Sequence, residues 1–484
     1  MASNLARGSV RPMGVHRLTA LDAAFLAIEG PHAHMHVGWA SAFDAPEDGP
    51  PPGFEAIFDH LAARFATAAR WRQRLTEVPF GVHDAVWVDD PAYDPRAHIL
   101  RSDATDLGAL ADEVMSVPLA RDRPLWQLWV ADGLAGGRIG LVGKAHHCMI
   151  DGVGAVELGR LLLDRRADGW REAREPEPVA AAPHPSRLDL LTGGVRDRVR
   201  EQAGPPLSLV RHPASALRLP GATARVARTL GLAVLPPART SSLNVDGSPE
   251  RHLAMLARPL GELRQIRRRF STTVNDVVLA ACAGGLRTWA LRRGETPRDL
   301  KAMVPVDVRA SEDGVTGNRI AFVFVTLPVE EADPVVRLRA TCAVMAARKQ
   351  GGHFESGDAI VRSLGRLPRV LRRAMVDVVA SPRMYNLAVS NIPGPRLATY
   401  LRGCRLRETY PVVPLADRHG LSIGMTTVGD RACFGLYADA RTVPDADVLR
   451  DDVAAALDEL AALAGAGPGG DAPAHRAVAA GRHD

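Results

Sequence analysis

Apolar residues fall at helical spacing at Phe54, Ile57, Phe58, Leu61 and Phe65, which predicts a helix with one buried stripe. Arg138–Ala145 (RIGLVGKA) reads instead as a short buried strand, and a helix is expected after it over about Val153–Arg165, with Val156, Gly159, Leu162 and Leu163 inward. A second alternation of strand and helix patterns begins near Arg251. Val274, Val277, Val278, Ala281, Cys282, Gly285, Leu286 and Trp289 form one helical face, and Thr273 with Asp276 has the spacing of a capping box. Met303–Val308 and Ile320–Leu327 read as strands, and Asp333-Pro334 as a capped helix start. A last helix is expected over about Asp447–Leu463, carried by Val448, Val453, Leu457 and Leu460.

These patterns divide the chain. At 484 residues it exceeds the roughly 250–300 that one core serves. The expected organisation is a loose N-terminus (1–16), a first α/β unit (17–167), a connector (168–250), a second α/β unit (251–464) and a disordered tail (465–484). The connector stands apart in composition, with EPEPVAAAPHP, VLPPARTSS and nine arginines against three acids between Arg187 and Arg239. Since the net charge is only +5, the basic character is local to that segment. Pro220–Leu235 within it has the pattern of a basic amphipathic helix, either a solvated linker or a contact for anionic lipid headgroups.

Composition removes several classes. No apolar run approaches the ~18 residues of a membrane span, and Met1–Val15 lacks the apolar core of a secretory signal. Five dispersed cysteines without a Cys-x-x-Cys pair point away from a disulfide framework or zinc site and towards a reduced, cytoplasmic protein. Neither a Gly-x-Ser-x-Gly elbow nor a phosphate-loop or dinucleotide fingerprint supports a lipase or a nucleotide enzyme. With 5% aromatic residues and no reader module, nucleic acid is not an expected partner.

The chemistry concentrates in His146-His147-Cys148-Met149-Ile150-Asp151-Gly152, at the end of the RIGLVGKA strand. A strand end presents a side chain on a rigid support, and a neutral imidazole there can take a proton from a hydroxyl or thiol attacking a carbonyl. Asp151 could hold the turn or orient an imidazole, and Gly152 lets the chain turn into the helix. Neighbouring strand histidines point to opposite faces and rarely ligate one ion, so a general base is favoured over a metal or a purely structural turn.

The same residues match the HHxxxDG signature of the chloramphenicol-acetyltransferase-like acyltransferases. The ordered set around them resembles the bacterial wax ester synthase/acyl-CoA:diacylglycerol acyltransferase family. That set is Leu18–Leu26, Met35-His36-Val37-Gly38, Pro124-Leu125-Trp126, Val274-Asn275-Asp276-Val277, Val304–Arg309, Gly317-Asn318 and Ser390-Asn391-Ile392-Pro393-Gly394-Pro395. The chain departs from the family's Ser-Tyr-x-Gly at Thr427-Val428-Gly429-Asp430, ahead of Phe434-Gly435-Leu436.

The resemblance implies two chloramphenicol-acetyltransferase-like α/β domains, with mixed sheets flanked by helices and an active-site tunnel between them. It implies a long-chain O-acyltransferase with acyl-CoA as co-substrate, no separate cofactor and no metal, and diacylglycerol or a long-chain alcohol as acceptor. His147 would be the base, beside His146, Asp151 and Gly152, with Asp151 chiefly structural. Asn275 would position a substrate or stabilise the oxyanion, or else cap its own helix. Pro124, Leu125, Trp126, Asp276 and Asn391 would bind substrate, although Trp126 could equally be core. Membrane or lipid-droplet contact remains open, as does the oligomeric state. Two other readings stand beside this one: a condensation-type enzyme fed by a carrier protein, and a lipid-surface binding protein of low turnover.

Overall fold

The computed structural model describes residues 15–150, 152–171, 183–211, 237–307, 320–350, 369–395 and 397–465. Asp151, Arg309, Gly317-Asn318, the Pro220–Leu235 segment and most of both termini lie outside the described residues.

In chain order the first half comprises β1 (His16–Arg17), α1 (Ala20–Ile28), β2 (His36–Phe43), α2 (Phe54–Ala66), β3 (Gln73–Thr76), β4 (Val86–Asp89), β5 (Ile99–Ser102), α3 (Leu107–Ser116), β6 (Trp126–Leu134), β7 (Arg138–His146) and α4 (Gly152–Leu162). The long helix α5 (Arg187–Arg211) follows. The second half comprises β8 (Arg251–Pro259), α6 (Leu260–Arg269), α7 (Val274–Arg292), β9 (Leu300–Asp307), β10 (Ile320–Leu327), α8 (Pro334–Gln350), α9 (Arg369–Val379), β11 (Leu387–Ile392), β12 (Tyr400–Leu401), β13 (Cys404–Val412), β14 (Leu421–Val428), β15 (Arg431–Asp439) and α10 (Ala446–Gly465).

Two six-stranded mixed sheets carry the fold, in the orders β12-β13-β2-β7-β6-β5 and β10-β9-β11-β14-β15-β8, with a small β1-β4-β3 sheet beside the first. The expected two-sheet α/β architecture is present. The domain boundary is not where the sequence pattern placed it. β13 belongs to the 251–464 stretch, yet it pairs antiparallel with β2, Tyr410 opposite Ala40 and Val412 opposite Gly38. The second half therefore supplies an edge of the first sheet. The crossing brings Pro411 against β14 and β15, and a side chain at Gly424 would sit 2.9 Å from the Pro411 ring. At Gly435 a Cβ would collide with the Pro411 carbonyl oxygen, so both positions need glycine for backbone proximity rather than for an unusual dihedral.

Cores form on each side of this crossing. The first sheet packs Phe43, Ile139 and Leu141 against Ile57, Leu61 and Phe65 of α2. On its other face, α3 lies between Val142 and Ala42 and the second sheet's Leu253, Cys433 and Tyr437. Helix α7 starts with the expected capping box, Thr273 with Asp276, and is buried nearly all round instead of along one face. It sits between the second sheet and α10, so a single apolar stripe would not suffice. In α10 the large apolar residues buried are Leu449, Val453, Leu457 and Leu460, with Ala446 and Ala456 beside them, while Val448 is 41% exposed. The stripe therefore starts one residue later than the pattern suggested, because α10 meets α7 through Val453 and Ala456 at Gly284 and Gly285.

The halves are also pinned through Arg251. Its side chain is buried against Asp439 at 3.3 Å and donates to the His32 carbonyl at 2.6 Å, fixing the loop between α1 and β2. All five cysteines are free thiols.

Candidate active site

β7 ends at His146, and β2 runs antiparallel beside it with His36 opposite. Two backbone bonds extend the pairing: the His146 N–H donates to the Leu125 carbonyl and the His147 N–H to the Met35 carbonyl, both at 2.9 Å. The chain then turns sharply, the Met149 N–H returning to the His146 carbonyl at 2.8 Å. Gly152 opens α4, as the sequence pattern required. The two histidines thus leave the strand in opposite directions.

His146 is 1% exposed. Its Nδ1 accepts from the Cys148 N–H at 3.1 Å, which leaves the proton of the neutral ring on Nε2. Nε2 faces Glu29 Oε1 at 3.7 Å, and Arg121 pairs with the same carboxylate. Burial first, then the nearby positive charge of Arg121 and the neighbouring His147, push the His146 pKa down to about 3. This imidazole is a neutral strut for the turn.

His147 is half-buried and lies flat against Phe25, ring centroids 3.7 Å apart with 12° between planes. Phe25 arrives on α1, whose start is fixed by a capping box between Thr19 and Asp22. Around this pair cluster Leu18, Leu21, Met35, Trp87, Leu125 and Cys148, with Phe322 of β10 packed against them. Helix α9 closes on α1 through Val376 against Ala24. Residues of both halves therefore surround the histidine turn, apolar around Phe25 and Leu125 but with the charged Glu29, Arg121, Asp22 and Arg70 also close to it. A cleft of about 930 Å³ opens beside Ile28 and Glu29, bordered across the gap by Glu250, Arg373 and Asp377.

The remaining expected residues are distributed unevenly. Leu125 joins the cluster around His147, and Pro124 is buried next to it. Trp126 points the other way into the α2 core: it stacks on Phe65 at 4.1 Å and His98 at 4.7 Å, and its Nε1–H donates to the Trp71 carbonyl at 2.7 Å. Of the two readings open for Trp126, the geometry matches core. Asp276 is taken up by its own helix end, accepting from the Thr273 N–H at 3.1 Å and from the Thr272 and Thr273 hydroxyls at 2.9 and 2.7 Å. Asn275, next to it, is half-buried in the first turn of α7, whose main contacts are with α6, α8, α10 and β10. Asn391 is half-buried on β11, level with Met425 of β14. No described contact joins Asn275 or Asn391 to the histidine turn.

Phe25, Glu29 and Arg121 were not singled out by the sequence pattern as site residues. Glu29 had a signal: a carboxylate at the C-terminal end of α1 opposes the helix dipole, so its presence there asks for another partner. Phe25, one turn earlier, reads as an ordinary core residue until the fold places it.

The wax ester synthase/diacylglycerol acyltransferase catalytic-domain profile matches residues 18–278, more than half of the chain, and the C-terminal-domain profile of that family matches residues 316–461. The chain belongs to this family. Among curated relatives, tgs1 of Mycobacterium tuberculosis, named a probable diacylglycerol O-acyltransferase, is 32% identical over 460 residues, covering 93% of this chain and 96% of the relative. A second M. tuberculosis protein carrying the diacylglycerol O-acyltransferase name is 31% identical over 474 residues, covering 93% and 92%. Among solved structures, the wax ester synthase/diacylglycerol acyltransferase from Marinobacter aquaeolei VT8 aligns with a TM-score of 0.66 at 25% identity, covering 93% of this chain and 99% of that one. The first condensation domain of the calcium-dependent antibiotic synthetase aligns at 0.58 with 18% identity, covering 93% and 97%, which is a likeness of fold alone. The acyltransferase-family expectation drawn from the ordered motifs is thereby met.

Proposed function

We propose that this chain transfers a long-chain acyl group from acyl-CoA to the free hydroxyl of diacylglycerol, forming triacylglycerol, with long-chain alcohols as second acceptors. The observation that carries the reading is His147: a half-buried imidazole at a strand end, held flat by Phe25 in an apolar cluster. Neutral His147 accepts the hydroxyl proton as the oxygen attacks the thioester carbonyl. The tetrahedral adduct collapses, the C–S bond breaks, and the CoA thiolate takes the proton back from the imidazolium. Atoms balance with no covalent acyl-enzyme.

The thioester arrives activated, so the scheme needs acyl-CoA as co-substrate and no further cofactor or metal. His146 holds the turn, Glu29 and Arg121 lie against His146, and Gly152 opens the helix that follows. Asn275 remains a candidate for positioning the acceptor or the oxyanion from the second half. Acyl-CoA and a carrier protein present the acyl group on the same kind of phosphopantetheine arm, so the apolar neighbours Leu125 and Phe322 suit either donor, and the preference for acyl-CoA rests on the family match over residues 18–278.

Purified protein offered palmitoyl-CoA with diacylglycerol or hexadecanol, beside His147→Ala, tests the reading. Ester formed by the wild type and lost in the variant supports it, and the product ratio sets the acceptor. A well-folded wild type that forms no ester overturns it.

A further inference from the structure

Helix α5 lies in the arginine-rich stretch that composition marked as connector. It is not a free linker: Leu190 is buried with Val78, Val86 and Val88. Gly194 lies against Val78 and His83, and Asp197 accepts from Arg17 at 2.5 Å. The helix therefore covers the outer face of the β1-β4-β3 sheet. Strand alternation sends Trp87 of that sheet to the other side, into the cluster with Phe25 and Cys148. One sheet separates α5 from the histidine turn.

The face of α5 turned away from the sheet has a composition that packing does not explain. Leu188, Val195 and Val199 are 68%, 44% and 57% exposed, and their spacing places them in one stripe. On the helical wheel Arg196 and Arg200 flank that stripe on one side and Arg187 and Arg198 on the other. Of the two acids between Arg187 and Arg200, Asp197 is paired with Arg17, while Asp189 accepts from Ser186 and stays exposed on the Arg196 and Arg200 flank, so this face carries four arginines against one acid. In the adjoining turn, which packs on α5, Phe80 is 91% exposed and held at a left-handed φ of 58°, followed by Gly81 at 60°. A large aromatic side chain so exposed on a disfavoured backbone contributes nothing to the fold.

We propose that the outer face of α5, together with the exposed Phe80 of the adjoining turn, docks on an anionic phospholipid surface. An apolar stripe edged by arginines is the arrangement of an interfacial helix: the apolar residues enter the headgroup boundary while guanidinium groups meet phosphates. The charge complementarity selects an anionic lipid over a neutral one. The location gives the contact a use, since a bilayer-borne lipid alcohol would be taken up one sheet away from His147. In that respect the inference rests on the proposed transfer reaction.

Flotation of the full-length chain with phosphatidylcholine vesicles, with and without phosphatidylglycerol, tests the inference. The wild type is expected on the anionic vesicles, far less on the neutral ones, and to be released by salt. Arg196→Glu with Arg200→Glu weakens partitioning by at least about tenfold, from the attraction each arginine has for an anionic surface. Phe80→Ser with Val195→Ser weakens it severalfold. All four positions point outward or lie half in solvent, and an unchanged circular dichroism melt verifies folding. Equal flotation of wild type and both variants overturns the proposal, as does equal binding to neutral vesicles. So does a variant that changes oligomeric state while still floating, because the face would then belong to a second copy of the chain. Transfer to detergent-dispersed diacylglycerol is expected to be the same in all three proteins. A wild type inactive in that assay defeats the transfer reaction while leaving the vesicle result standing.

Discussion

The imidazole of His147 lies face to face with the ring of Phe25, 3.7 Å between centroids. The stack fixes the plane of the ring, so its edge nitrogens can turn only within that plane towards a substrate hydroxyl. His147→Ala is expected to lower transfer by about 10²–10⁴-fold, the usual contribution of a positioned base. Phe25→Leu keeps apolar bulk but removes the flat support. It is expected to lower kcat with KM little changed, measured by ester formation at saturating palmitoyl-CoA.

Glu29 stands between Arg121 and His146. Glu29→Gln keeps the shape and removes the charge, so Arg121 loses its ionic partner beside the His146 ring. The expected result is a lower kcat at unchanged KM and a folded protein destabilised by about 1–3 kcal/mol. Steady-state kinetics with a urea titration would check both, and unchanged kcat would remove Glu29 from the site.

Trp126 offers a contrast. Trp126→Phe loses the hydrogen bond to the Trp71 carbonyl in a buried setting and is expected to cost about 1–3 kcal/mol. Acyl-chain preference should not move, because the ring faces the α2 core. A shifted chain-length profile across acyl-CoA donors would place Trp126 in the channel after all.

His252 joins the halves, at 2.7 Å from Asp112 of α3 and 3.0 Å from Asp447 of α10. The hydrogen bond to Asp112, with Asp447 adding to it, raises its pKa from 6.5 to about 9. A raised pKa means the folded state holds the proton more tightly. The stabilisation is complete below 6.5 and is lost as pH climbs through about 9. Thermal melts should show Tm falling across that window, and His252→Asn should flatten that part of the profile.

At Gly435 the Pro411 carbonyl occupies the space a side chain would need. Gly435→Ala must push β13 away from β15, at about 1–3 kcal/mol or more. A lower urea midpoint with an unchanged slope would report that cost.

Local elements were legible where one chemical pattern sufficed. The spacing from Phe54 to Phe65 gave α2, RIGLVGKA gave β7, and Thr273 with Asp276 gave the cap of α7. The histidine turn was legible because two adjacent imidazoles before an Asp-Gly have few structural uses. Non-local partners were not. Nothing in CRLRETYPV says that its neighbour is β2, some 370 positions earlier in the chain, since any half-buried strand would read the same. Val448 and Leu449 are equally apolar, and only the approach of α7 decides which is covered. The packing of α5 was illegible for a related reason: among its described positions 187–200 it buries Leu190 and the small Gly194, too few for a hydrophobic pattern to register.

The route of β13 has a consequence for synthesis. β2 has β7 on one side and β13 on the other, so until the ribosome has delivered residues up to Val412 the first sheet keeps an open edge at β2. The histidine strand is made early, but its sheet is finished late. A nascent chain stalled between β7 and β13 would hold HHxxxDG in an unfinished sheet, open to protease or to pairing with a neighbouring chain, and competent active sites should emerge only from chains translated past β13.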